Sequence, residues 1–309
     1  MESETEQKTV GEYRSGYVAL VGRPNAGKST LLNRLVGEKI AAVSNKPQTT
    51  RWQIQGVITR ADGQIVLVDT PGVHQPGYLL NRRMMASVHD ALEGVDLVVL
   101  MRDASVSTGN GDRFVLDLVK QSAKPALLVL NKTDRMSDKT KLLPLMEWYG
   151  AEYDWRAIMP LSARKGDNVP LLLAEIVKHL PEGEPIFGED ELTDQSMRSM
   201  AAEIVREKIL QTTGEEIPYV TAVVAEQYEQ EREDFARISC VIFVERTSQK
   251  KIIIGHGAER LKEVGTRARH DIERLLGHRV HLELFVRVQE DWRNSGRVLD
   301  EIGIGGKNK

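Results

Sequence analysis

The residues with the clearest chemistry are Gly22-Arg23-Pro24-Asn25-Ala26-Gly27-Lys28-Ser29, set between the apolar run Tyr17 to Val21 and a helix-like segment from Thr30 to Val36. Glycines at this spacing let backbone N–H groups turn inward around a polyphosphate, and the helix that follows adds the positive end of its dipole. In that setting the Lys28 ammonium meets the β and γ phosphates, and the Ser29 hydroxyl ligates Mg2+. Asp69-Thr70-Pro71-Gly72 ends a β-rich run 40 residues beyond Ser29. A carboxylate there reaches the Mg2+ shell, and the Gly72 N–H faces a γ-phosphate. A bare D-x-x-G is a weak signal, but one that follows a phosphate loop is specific.

Two further motifs read a base. Asn131-Lys132-Thr133-Asp134 directly follows the apolar run Ala126 to Leu130, and Ser162-Ala163-Arg164-Lys165-Gly166 ends another, Ile158 to Leu161. The Asp134 carboxylate accepts a pair of hydrogen bonds from N1–H and the exocyclic amine of guanine, a pair adenine does not offer. The Ala163 N–H is the candidate donor to the guanine carbonyl oxygen, with Ser162 beside it. Between the first two motifs, Asn45-Lys46-Pro47-Gln48-Thr49-Thr50-Arg51 is rich in residues that break regular structure and reads as a mobile loop. Its Thr50, with Thr49 as the rival, is the expected second hydroxyl ligand to Mg2+. Asn25, Lys28, Thr50 and Gly72 are the candidate catalytic residues; Ser29, Thr50 and Asp69 are the candidate metal ligands.

These groups need a frame. Asp96 to Met101 and Ala126 to Leu130 are short continuous apolar runs, as expected of parallel strands covered on both faces. Gln53 to Thr59 and Gln64 to Val68 form a hairpin about Asp62-Gly63. Alternating strands and helices, carrying the motifs in this order, predict an α/β phosphate-loop GTP-binding domain with a mostly parallel sheet over residues 15–180, after a flexible segment 1–14. A net charge of −3 over 309 residues excludes a polyanion partner for the surface as a whole, so any nucleic-acid site is a local patch. One cysteine, Cys240, allows no internal disulfide and suits a reducing compartment. The polar start has no signal-peptide character, and no apolar run approaches the ~18 residues of a membrane span. A cytoplasmic protein without a transmembrane segment is expected.

Residues 181–194 hold two prolines, two glycines and six acids, a linker composition. Over 195–309 a smaller α+β domain is predicted. Thr193 or Asp194 caps a helix to about Leu210, and the β-rich runs Tyr219 to Gln227 and Ala236 to Glu245 make a long hairpin. The turn Gly255-His256-Gly257-Ala258, a helical stretch to Leu276 and the alternating strand Val280 to Val288 follow. Arg246 to Arg279 carries nine lysines and arginines against four acids, an electrostatic footprint for RNA.

The five nucleotide motifs and this tail resemble the TrmE-Era class of translation-factor-like GTPases, and in detail the Era family of ribosome-assembly GTPases. The tail's order is similar to a type II KH domain, whose G-x-x-G loop clamps the backbone of unpaired nucleotides. Ile254, Gly255, His256, Gly257, Ala258, Arg260 and Lys262 are then the RNA-binding candidates. Ala258 departs from the family's glycine; as the first residue of a right-handed helix it would carry no strain. The resemblance further implies small-subunit ribosomal RNA at its 3′ end and the small ribosomal subunit as partners, activation by K+ through Asn25, peripheral association with the inner membrane, and a monomer. Val73 stands where many signalling GTPases place a water-orienting glutamine, so slow intrinsic hydrolysis is expected, with His74 the rival for that task. A metabolite kinase gives no reason for the Asn131 to Asp134 motif. A GTPase of tRNA modification, with the tail as a docking module, gives none for the glycine turn.

Overall fold

A computed structural model describes residues 13–46, 48–72, 77–214 and 216–304. Pro47, Val73, His74 and the first 12 residues of the expected flexible segment lie outside the described residues.

The first half alternates strand and helix: β1 Arg14–Gly22, α1 Lys28–Val36, β2 Ile54–Arg60, β3 Gly63–Asp69, α2 Leu79–Gly94, β4 Leu97–Asp103, α3 Asn110–Ser122, β5 Ala126–Asn131, α4 Leu142–Glu152, β6 Ala157–Pro160 and α5 Val169–His179. The sheet order is β2-β3-β1-β4-β5-β6, with every neighbouring pair parallel except the β2–β3 hairpin. Continuous apolar runs form β1, β4 and β5 because both faces of these strands are covered. Leu20, Val99 and Val129 point into one core, and Val21, Leu100 and Leu130 into the other. Parallel strands all deliver their following loops to one sheet edge, so the phosphate loop, the Asp69 loop and the Asn131 loop meet there.

The second half comprises α6 Met197–Thr212, α7 Ile217–Val220, β7 Ala222–Arg232, β8 Phe235–Val244, α8 Thr247–Ile254, α9 Glu259–Leu276, β9 Arg279–Val288 and α10 Gly296–Glu301. Its sheet is β7-β8-β9, antiparallel then parallel. One face packs on α6, α8 and α9, with Cys240 in that core, where burial pushes its thiol up to about 12. Three local readings change. The cap of α6 is Ser196, which accepts from Ser199 N–H, rather than Thr193 or Asp194; Thr193 instead donates its hydroxyl to the Gln55 carbonyl. The run Ile252 to Ile254 ends the helix α8, and neither α8 nor α10 was foreseen. Residues 182–193 run beside the first sheet, where Gln64 Oε1 accepts from the Ile186 and Phe187 N–H groups and the Val57 N–H donates to Leu192 O.

The other face of the small sheet meets the first half. Leu80 and Met84 of α2 pack against Val241, Phe243, Trp292, Leu299 and Ile302. Beside this seam, Asp271 of α9 binds Lys208 of α6 and, at 2.9 Å, Lys39 of the loop after α1. Burial alone would raise the Asp271 carboxyl, but the two ammonium groups more than offset it and hold it at about 2. The folded protein therefore takes up this proton less readily than the unfolded chain, whose value is near 3.8. The stabilisation is complete above the unfolded value and is lost as pH falls toward the folded one. Urea unfolding at about pH 5 and about pH 3 should show wild type losing more stability on acidification than Asp271→Asn. Equal losses would mean that the cluster contributes nothing to the fold.

Candidate nucleotide and RNA sites

The phosphate loop leaves β1 at Gly22 and enters α1 at Lys28. Lys28 is 5% exposed, and its ammonium donates to the Gly22 and Arg23 carbonyls at 3.1 and 3.3 Å. Burial lowers its pKa and Asp69 pulls it back up. Arg23 reaches out of the loop to Asp112 at 2.9 Å, and Pro24 lies against Gly72, where an added Cβ would stand 2.9 Å from Pro24 Cα. The Asp69 motif therefore approaches the phosphate loop as closely as two backbones can. Thr70 anchors it through its hydroxyl, which donates to Leu20 O at 2.8 Å, and Pro71 carries the chain on to Gly72.

Three oxygens converge beside Lys28. Ser29 Oγ lies 2.8 Å from Thr50 Oγ1 and donates to Asp69 Oδ2 at 2.7 Å, while Thr50 Oγ1 is 3.2 Å from the same Oδ2. Thr49 faces elsewhere, its hydroxyl on Lys46 O. The fully buried Asp69 keeps its other oxygen, Oδ1, without a hydrogen-bond partner among the described residues. Burial raises the Asp69 carboxyl, and Lys28, Ser29 and Thr50 each draw it down. Among the described residues no group of three His, Cys, Asp or Glu gathers. Two hydroxyls and one carboxylate with an unused oxygen fit Mg2+, a hard ion that keeps several waters and takes phosphate oxygens. Asn25, at φ 63°, donates its side-chain amide to Asn45 O at 2.8 Å, and Thr30 sits one residue into the first turn of α1 beyond Ser29.

At the other end of the cleft, Asn131 joins three loops. Its Nδ2 donates to Ala26 O at 2.7 Å, and its Oδ1 accepts from the Ala163 N–H at 2.9 Å. The Ala163 N–H, the donor expected for guanine, is thus engaged in the protein itself. Ser162 Oγ donates to Asp134 Oδ1 at 2.7 Å, leaving the carboxylate's Oδ2 to a ligand. Lys132, at φ 65°, pairs with Asp103 at 2.7 Å.

In the small domain the turn Gly255 to Ala258 joins α8 to α9 at the α9 N-terminus. His256 and Lys262 are exposed, whereas the Arg260 guanidinium is tied to the Ile252 carbonyl one residue short of the buried Ile253 and two short of Ile254. Gly255 is at φ 75° and Gly257 at φ 55°. Ala258 is also left-handed, at φ 64° and ψ 18°, so it is the residue before the helix and not its first right-handed member. The expectation of an unstrained alanine is therefore wrong. The turn's path demands a positive φ at its fourth position, where Cβ meets the following carbonyl.

A family model described as "50S ribosome-binding GTPase" matches residues 17–132, and one described as "KH domain" matches residues 216–293. The crystal structure of an Era variant from Aquifex aeolicus bound to GDP.AlF4- is similar at 39% identity and TM-score 0.91, over 95% of this chain and 100% of that one. This chain belongs to the Era family of GTPases. A crystal structure of Era in complex with MgGDPNP and nucleotides 1506–1542 of 16S ribosomal RNA is similar at 39% identity and TM-score 0.92, again over 95% of this chain and 100% of that one.

This Era-family chain also uses residues its motifs did not mark. Arg51 is 1% exposed and donates to Thr221 O at 2.7 Å and Pro218 O at 2.6 Å, with the Trp292 ring 5.5 Å from its guanidinium carbon. Arg206, equally buried, donates to Gln48 O at 3.1 Å and forks onto Glu203. The small domain thus holds the loop on both sides of Thr50. No local pattern announces a buried arginine; the nearest signal is a basic residue beside the only two adjacent threonines of a polar loop.

The left-handed alanine generates a direct prediction. Ala258→Gly removes the Cβ clash and should stabilise the small domain by ~1 kcal/mol, net of glycine's greater freedom in the unfolded chain. Urea unfolding followed in the small domain reads this, and a variant less stable than wild type would show that the turn tolerates Ala258 without strain.

Proposed function

We propose that the chain is a GTP-timed RNA-binding protein: it hydrolyses GTP in the first domain and holds single-stranded small-subunit ribosomal RNA, at its 3′ end, on the KH turn. The observation that supports this most strongly is the seating of Thr50 on Ser29 and Asp69 while its neighbours Gln48 and Arg51 are bound by the KH-domain half. The order and spacing of the nucleotide motifs, together with a complex of Era with 16S ribosomal RNA nucleotides, point the same way.

Lys28 and the loop amides hold the β and γ phosphates. Mg2+, when bound, neutralises charge on those phosphates. Ser29 and Thr50 would hold the ion with their hydroxyls, and Asp69 would support it with its unused Oδ1. Gly72 brings its N–H to the γ-phosphate without a side chain between. Release of that phosphate frees Thr50 from its partners, and the change passes to the adjacent Arg51 and through it to the KH half. At the RNA, the basic face of α9 and the exposed turn at its N-terminus clamp the backbone. The same reading places the protein in the cytoplasm as a monomer that assembles with the small subunit, and the resemblance adds peripheral association with the inner membrane. Among the described residues no helix is long and apolar enough to cross a membrane.

Asp134 supplies the paired acceptor for guanine. Asp134→Asn should shift preference from GTP toward xanthosine triphosphate, weakening GTP by ~2 to 4 kcal/mol in equilibrium binding. A wild type that binds GTP and ATP equally would refute the base assignment.

Asn25 donates its side-chain amide to the Asn45 carbonyl, and in this reading its remaining side-chain oxygen helps hold a monovalent cation where an arginine finger would sit. Phosphate release should be faster in K+ than in Na+, and Asn25→Ala should abolish the difference. Equal rates in the two salts for wild type would rule the cation out.

A further inference from the structure

Arg34 lies on the exposed side of α1, five residues beyond Ser29 at the end of the phosphate-loop motif, and none of the steps above uses it. Its guanidinium nonetheless spans to the guanine end of the cleft. Nε donates to Ala163 O at 2.6 Å, and Nη2 donates to Arg164 O. Nη1 fills the space at Gly166, where an added Cβ would come within 2.8 Å of it, and that glycine is at φ 93°. The 162–166 turn is built to admit this side chain.

We infer that Arg34 is a positioning residue for guanine recognition, gripping the carbonyls of the 162–166 turn and so aiming the Arg164 N–H at the 6-oxo group of the base. The inference rests on the guanine reading of Asp134. Of the turn's N–H groups, that of Ala163 is bound by Asn131 Oδ1, that of Lys165 by Ser162 Oγ and that of Gly166 by Ser162 O. The Arg164 N–H has no acceptor among the described residues. It belongs to the same peptide group as the Ala163 carbonyl. In a planar trans peptide the C=O and N–H point in opposite directions, so the bond that draws Ala163 O toward α1 turns the Arg164 N–H to the other side. A cationic donor on the carbonyl also polarises the amide and strengthens its N–H as a donor.

The position suits the base. The 6-oxo group of guanine is bonded to the carbon next to N1, so with Asp134 accepting N1–H and the 2-amino group, the 6-oxo group lies beside that carboxylate. Ser162 ties the turn to Asp134 at 2.7 Å. The fork geometry is required, because one lysine ammonium cannot reach two carbonyls in the plane of a guanidinium.

The test is equilibrium binding of GDP, inosine diphosphate, 6-thio-GDP and ADP to the full-length protein and to Arg34→Met and Arg34→Lys. Inosine lacks the 2-amino group and reports on Asp134; the 6-thio base keeps N1–H but offers a poor acceptor at position 6. Arg34→Met should weaken GDP about 10-fold, the worth of one charge-supported hydrogen bond, and 6-thio-GDP far less. The ratio of GDP to inosine diphosphate should stay at its wild-type value, and Arg34→Lys should fall between. Arg34 is exposed, so neither variant disturbs a core. Unchanged GDP affinity, or an equal loss for all the guanine-like ligands, overturns the proposal in favour of a role confined to loop stability. A wild type without preference for GDP over ADP overturns the guanine reading itself, a separate failure visible in the same experiment.

Discussion

A guanidinium buried at a seam has few places to go, and Arg51 shows the consequence. At 1% exposure its charge has left water, and burial, with Arg206 nearby, pulls its pKa down to about 9. It remains charged near neutrality, so its donors must find acceptors or cost ~1–3 kcal/mol each. The acceptors are the carbonyls of Pro218, in the first turn of α7, and Thr221, the residue between α7 and β7. Those carbonyls are fixed by the small sheet, and Trp292, which stacks on the guanidinium, donates its own ring N–H to Val220 O at 2.9 Å. The loop that carries Thr50 can therefore hold this path only while the two halves stay docked.

The nucleotide cleft inherits its order from this constraint. Thr50 is one residue from Arg51, and its hydroxyl meets Ser29 and Asp69. Arg206 takes the Gln48 carbonyl from the other side, and Glu207 accepts from the Val43 N–H. A polar loop that would otherwise wander is pinned at both ends by helix α6. The two pins from α6 fall on a backbone carbonyl and a backbone N–H of the loop, so they depend on its path, whereas the third is the loop's own Arg51 side chain.

The motifs that bind phosphate and base were legible because each encodes its own backbone and chemistry within a few residues. Gly22 to Ser29, Asp69 to Gly72 and Asn131 to Asp134 need only a parallel sheet to be brought together, and continuous apolar runs announce that sheet. The glycine turn at Gly255 was legible for the same reason, but the sign of φ at Ala258 was not, since alanine is ordinarily right-handed and the turn's path overrides that preference. The run Ile252 to Ile254 concealed the end of α8, because three β-branched residues in succession carry no helical period. The α6 cap fell on Ser196 because Thr193 is drawn to Gln55, a partner more than a hundred residues away. Arg51, Arg206 and Arg34 were invisible in their roles, because an arginine that binds distant carbonyls looks in sequence like any solvated charge.

The proposed function makes nucleotide state and RNA grip one equilibrium across the seam, and the most direct measurement is the affinity for a single-stranded oligonucleotide of the small-subunit ribosomal RNA 3′ end. It should be compared in GDP and in a non-hydrolysable GTP analogue, for wild type and for Arg51→Met. Wild type should bind the RNA with clearly different affinities in the two nucleotide states, and Arg51→Met should bring them together while leaving nucleotide affinity within a small factor. Identical RNA affinity in both states of the wild type, or a difference that survives in Arg51→Met, would contradict the coupling through this residue.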